Sequence, residues 1–124
     1  MQILGTGVDI VENLRIKKIL KNKLFINRIF STTEISLSKK VNNKANYYSK
    51  RFAAKEAFAK SIGTGFRNNL KFKDITVINN NKGKPSFVIT DKLKKIVKKE
   101  FKTSSFNFFL SISDEKKYSI AFVI

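Results

Sequence analysis

The chain of 124 residues is 42% apolar with twelve Phe, ample for one compact core, and a single domain spanning 1–124 is expected. It has no Cys and no His, which removes disulfide frameworks, thiolate zinc sites and every nucleophile system that needs an imidazole base. Its net charge of +17, from 26 Lys plus Arg against nine carboxylates, attracts nucleic acid, an acidic protein or a phosphate-rich small molecule, although an AT-rich coding sequence also fills tolerant surface positions with Lys and Asn.

In chain order, residues 2–11 (QILGTGVDIV) read as a largely buried strand. Short helices are expected over 12–21 and 25–30. Ser31 with Glu34 three residues later is an N-cap signature for a helix to about Ser38. After a polar loop at 41–44, residues 45–62 place Tyr48, Phe52, Ala59 and Ile62 in one sector of a helical wheel. Ala53, Ala54, Ala57 and Phe58 spread apolar surface around the rest, so this is a long, mostly buried helix that Gly63-Thr64-Gly65 ends. Strands over 74–79 and 86–90 flank a reversal at Gly83-Lys84-Pro85, and 91–101 is an amphipathic helix with a Lys-rich outer face. Two further strands, 106–113 and 118–124, meet across the turn 114–117. The order of elements predicts an α+β fold with antiparallel strands against a long buried helix.

The start Met1-Gln2-Ile3-Leu4-Gly5 lacks the basic segment and long apolar run of a secretion signal, and no stretch approaches the ~18 apolar residues of a membrane span. A cytoplasmic location without a membrane partner is the default expectation.

With nine acids in the chain their placement is informative. Asp9 interrupts an apolar strand, where its charge needs a cation or hydrogen-bond donors; it either caps the helix beginning near Glu12 or serves chemistry. Glu56 lies inside the buried helix and either pairs with Lys60 one turn on or does the same. Two such carboxylates brought together repel without a cation, whereas Mg²⁺ takes one or two carboxylates plus phosphate oxygens and water. Arg51, Lys55 and Lys60 around them, with a glycine-rich helix end, make a candidate pyrophosphate site. No Walker motif is present, and Gly5-Thr6-Gly7 is too short for a dinucleotide fingerprint.

The segments GTGVDIVENLRI at 5–16, RFAAKEAFAKSIGTG at 51–65, GKPSF at 83–87 and SISDEKKYSIAFVI at 111–124 closely resemble the holo-acyl carrier protein synthase family of 4'-phosphopantetheinyl transferases. The resemblance implies a small Mg²⁺-dependent enzyme that moves phosphopantetheine from coenzyme A to a serine of an acidic acyl carrier protein in fatty acid synthesis. Asp9 and Glu56 correspond to the family's metal ligands, and Lys60 to the lysine that steadies the leaving phosphate. Arg51 resembles a coenzyme A phosphate contact, and Gly63, Gly65, Lys84 and Pro85 fall where the family closes around the nucleotide. Arg15 resembles the arginine that grips the carrier, with Lys17, Lys18, Lys21 and Lys23 completing a docking face. The resemblance also implies a homotrimer with sites between neighbours. One position departs: where the family has His after Ser in the last hairpin, this chain reads Ser113-Asp114-Glu115, putting an anion near the cofactor phosphates. Two rival readings are a small nucleic-acid-binding protein, whose RNA-binding aromatic motif is missing, and a relative that has lost catalysis with its histidine.

Overall fold

The computed structural model describes residues 2–67 and 69–124. Strand β1 (Gly7–Glu12) leads into three short helices, α1 (Asn13–Ile19), α2 (Lys23–Ile29) and α3 (Thr32–Ser38), and then the long α4 (Lys44–Ile62). A 3₁₀ turn (Phe72–Asp74), the hairpin β2 (Thr76–Asn79) and β3 (Pro85–Val88), helix α5 (Asp91–Phe101) and the strands β4 (Leu110–Asp114) and β5 (Tyr118–Val123) complete the chain.

Helix α4 carries no continuous polar stripe, so it is covered from several directions: Tyr47, Tyr48, Ala53, Ala54, Ala57, Phe58, Ala59 and Ile62 are all buried. Its ends are fixed by local chemistry. The Asn43 side chain accepts from the Asn46 amide at the N-cap, and Gly63, at φ 90°, takes the left-handed conformation that turns its amide back onto the carbonyls of Ala59 and Lys60. The box at Ser31 forms as the sequence predicts, with the Glu34 amide donating to Ser31 Oγ and the Ser31 amide to Glu34 Oε1.

The larger sheet has the order β1-β5-β4, antiparallel throughout, with Asp9 opposite Ala121 and Asp114 opposite Ser119. Its inner face packs on α4. β1 comes so close that a Cβ on Gly7 would lie 1.9 Å from the Ala57 carbonyl oxygen, and one on Gly5 1.9 Å from that of Ser61. Only glycine permits this approach.

The strand expected over 2–11 begins at Gly7, and it is buried on one side only. Gly7 and Val11 are buried, whereas Val8 and Ile10 are exposed, because none of the described residues covers the outer face of the sheet. The β2–β3 hairpin forms a separate two-stranded sheet. Phe30, Phe87 and Leu93 join the α4 side chains in the core, where Phe58 stacks on Phe108 at 4.4 Å between ring centroids. Among the described residues no helix is long and apolar enough to cross a membrane.

Candidate active site

β1 turns Gly7, Asp9 and Val11 toward α4, so the strand's period of two that buries Val11 also points Asp9 inward. The carboxylate meets Lys60: Nζ lies 3.2 Å from Asp9 Oδ1 and 3.1 Å from the Val8 carbonyl oxygen. Asp9 therefore does not cap α1, whose N-cap residue, Glu12, makes no side-chain cap bond. The pair is partly open to solvent, with the Lys60 side chain 53% and Asp9 17% exposed.

Glu56 and Lys60 are four residues apart on α4 and share a face, so both project toward β1. The Glu56 pKa is raised from its ordinary value, first by burial and then by the Asp9 charge; Lys60 and Arg15 pull it the other way. The chain thus brings together two carboxylates from separate elements, with a lysine and an arginine as the cations around them. Arg15, on exposed α1, belongs to this group as well as to the expected docking face, where Lys17, Lys18, Lys21 and Lys23 are also exposed.

A second group forms around Arg51. Its Nη2 lies 2.6 Å from Asn79 Oδ1, its guanidinium carbon sits 3.7 Å from the Tyr47 ring centroid, and its buried Nε has no hydrogen-bond partner among the described residues. Asn79 in turn donates to the Gly83 carbonyl at 2.9 Å, and Asn80 Oδ1 accepts from the Lys84 amide at 2.9 Å. Arg51 is thereby tied through Asn79 to the Gly83-Lys84-Pro85 turn. Gly63 and Gly65, both at positive φ, lie beyond the C-terminal end of α4.

Lys55 is a correction. Expected among the pyrophosphate contacts, it is fully buried and ion-paired with Glu34 at 2.7 Å, and it donates further to the carbonyls of Phe72, at 3.0 Å, and Ile75. Burial pushes the pKa of its ammonium down, and the Glu34 carboxylate opposes that. Residue 55 is turned about 100° from Glu56 around the helix, toward α3 and β2 rather than β1. Glu34 was legible only as a cap. Lys55 lies between Ala54 and Glu56 on the buried part of the helix, and a lysine held away from water there needs a carboxylate partner.

Asp114, in place of the family's histidine, receives a bond from Asn46 Nδ2 at 2.6 Å. It lines a cleft of about 590 Å³ with Asn13, Lys17, Asn43, Asn46 and Lys116. Asn13 holds this corner: its Nδ2 donates to the Glu115 carbonyl at 3.0 Å, and its Oδ1 accepts from Ser119 Oγ at 2.7 Å.

The donor set fits a hard divalent ion. Among the described residues no group of three or more His, Cys, Asp or Glu forms a closed cage. Two partly exposed carboxylates are a donor set that Mg²⁺ accepts together with water and phosphate oxygens.

The α+β chain matches the model of a transferase class: residues 5–123 fit the 4'-phosphopantetheinyl transferase superfamily. It is 75% identical over 124 residues to the holo-[acyl-carrier-protein] synthase of Pelagibacter ubique (strain HTCC1062), covering 100% of this chain and 97% of that protein. The crystal structure of the holo-[acyl-carrier-protein] synthase from Neisseria meningitidis superposes with a TM-score of 0.89 at 37% identity, over 98% of this chain and 97% of that one. The Bacillus anthracis synthase, described in complex with CoA (3',5'-ADP), gives a TM-score of 0.81 at 33% identity over 99% and 96%. The chain belongs to the holo-acyl carrier protein synthase family and is a transferase of that class.

Proposed function

We propose that the chain transfers the 4'-phosphopantetheine group of coenzyme A to a serine of an acidic apo-acyl carrier protein, releasing 3',5'-ADP, with Mg²⁺ held by Asp9 and Glu56. The observation that carries this is the convergence of those two carboxylates beside Lys60 and Arg15. The similar synthase from Pelagibacter ubique and the coenzyme A complex of the Bacillus anthracis relative support the choice of substrates.

When bound, Mg²⁺ supplies charge neutralisation and Lewis acidity at the diphosphate. The chain's own groups do the rest. Either Glu56 or a water activated at the site accepts the serine proton. The serine oxygen bonds to phosphorus as the phosphoanhydride bond breaks, and the electron pair leaves on 3',5'-ADP. Lys60, within reach of Asp9 and partly exposed, neutralises that leaving charge. Arg51 and the turn at Lys84 and Pro85 receive the nucleotide phosphates; the unpartnered Arg51 Nε is a donor awaiting an acceptor. Gly63 and Gly65 line the closing backbone, and Asp114 borders the nucleotide with its charge occupied by Asn46.

The Arg51 turn and the Asp9 pair belong to different faces of α4, and a homotrimer unites such surfaces across subunits. Its candidate interface is the outer sheet face, where Val8, Ile10, Ile120 and Phe122 are exposed. Arg15 and Lys18 dock the acidic carrier. The reading places one domain, in the cytoplasm, in fatty acid synthesis, with neither nucleic acid nor membrane as partner.

The test is the mass of an acidic apo carrier protein after incubation with the enzyme, coenzyme A and Mg²⁺. The carrier gains one phosphopantetheine, and Asp9→Asn and Glu56→Gln each lower the rate by about 100-fold or more while the fold persists. Full activity in either variant refutes the assignment.

A further inference from the structure

We propose that the buried Glu34–Lys55 pair is a positioning device: it sets the rotation of α4 and so holds Glu56 at the distance from Asp9 that a shared divalent ion requires. This rests on the reading that Asp9 and Glu56 bind Mg²⁺.

Both side chains are 0% exposed and every polar group of the pair is used. The Lys55 ammonium is shared among Glu34 Oε1 at 2.7 Å and the carbonyls of Phe72 and Ile75. The Glu34 carboxylate also accepts from the Ser31 amide at 3.0 Å and the Val77 amide at 3.1 Å, while its backbone carbonyl accepts from the Tyr47 hydroxyl at 2.5 Å. One position of α4 is thereby fixed at once to α3, to the 3₁₀ turn and to β2.

Such a lock is needed because of how α4 is built. Its buried face is alanine-rich and continues around much of the helix, so apolar packing distinguishes poorly between neighbouring rotations. A slip of one residue moves a helix by about 1.5 Å and turns it by about 100°, which would carry Glu56 away from β1. Directional hydrogen bonds to a buried ion pair discriminate against that slip in a way that apolar contact cannot. On the opposite side the glycine approach of Gly7 to the Ala57 carbonyl sets the spacing. Glu56 is the residue between these two constraints, adjacent to Lys55 and to Ala57. Lys55 touches neither substrate nor metal and acts through Glu56.

The experiment is an electron paramagnetic resonance titration of Mn²⁺ binding in the presence of coenzyme A, on protein shown to be folded by circular dichroism at the same temperature. The double variant Glu34→Gln/Lys55→Met removes the charges together and leaves no buried ion unpaired. Its Mn²⁺ affinity falls by about 10-fold or more, the effect typical of residues that orient metal ligands. A folded double variant that binds Mn²⁺ as wild type overturns the proposal and leaves the pair a purely structural contact. If the double variant does not fold, Glu34→Asp, which keeps the charge and retracts it by one methylene, is read by the same titration with the same two outcomes. Glu56→Gln is measured alongside: unchanged Mn²⁺ binding there refutes the metal site itself, whereas loss there with none in the Glu34 and Lys55 variants refutes only the positioning role.

Discussion

Glu56 shows how a residue fitted to its chemistry works against the stability of the chain that carries it. Burial and the Asp9 charge raise its pKa from the ordinary value of 4.5, so in the metal-free protein the folded state binds the Glu56 proton more tightly than the unfolded state does. That preference favours folding below the unfolded value and is lost as pH rises through the folded one. Glu56→Gln should therefore melt at a higher temperature than wild type at neutral pH without metal, and the gain should vanish on acidification below about pH 4.5. Thermal melts across pH measure this; a variant less stable than wild type at neutral pH would contradict it. Burial disfavours the Lys55 charge as well, but that charge has a complete set of partners. A carboxylate in an apolar strand or helix stands out, so the sequence singles out Asp9 and Glu56 as candidates, while their grouping with Lys60 comes from the family resemblance. Sequence spacing misassigned Lys55, because the partner that explains its burial, Glu34, is 21 positions away and looked fully occupied by its capping box.

At the scale of elements, local signals carried most of the information. The capping box at Ser31, the Gly63 stop and the amphipathic run of α5 are short-range features, and the helices form where those features place them. β1 was harder: its apolar run reads as buried on both faces, and only the sheet order, with the outer side left open, reveals Val8 and Ile10 as surface. The glycines of this strand acquire their reason from tertiary contact alone. Gly7→Ala would drive a methyl into the Ala57 carbonyl oxygen, and the backbone shift required costs about 1–3 kcal/mol, on the order of 10 °C in Tm. Because the same contact spaces β1 from Glu56, the variant should lose activity even at temperatures where it is folded. A melt within a degree of wild type would show that β1 and α4 are more loosely apposed.

For the whole molecule, the exposed apolar strip of Val8, Ile10, Ile120 and Phe122 and the +17 charge are two surface facts with separate consequences. The strip is the surface we assign to the trimer. Ile10→Asp should shift the particle mass by light scattering from trimer to monomer and reduce transfer, and a wild-type protein that runs as a monomer at micromolar concentration would refute the assignment. On the proposed reading, the charge speeds encounter with an acidic carrier. The carrier KM should rise with added salt as screening sets in over a Debye length of about 8 Å, while kcat stays nearly constant. Family membership was legible because ordered motifs run from β1 to β5. Assembly was not legible from the residues, since periodicity cannot distinguish an apolar strand face that meets another chain from one that meets the core.

The central claim is that Asp9 and Glu56 grip one divalent ion, and anomalous diffraction from crystals grown with Mn²⁺ and coenzyme A tests it most directly. The account predicts a single strong peak per site within about 2.0–2.3 Å of a carboxylate oxygen of each residue and next to the diphosphate. A peak bound by other groups, or a diphosphate held by Lys60 and Arg51 with no ion between these two acids, would contradict it.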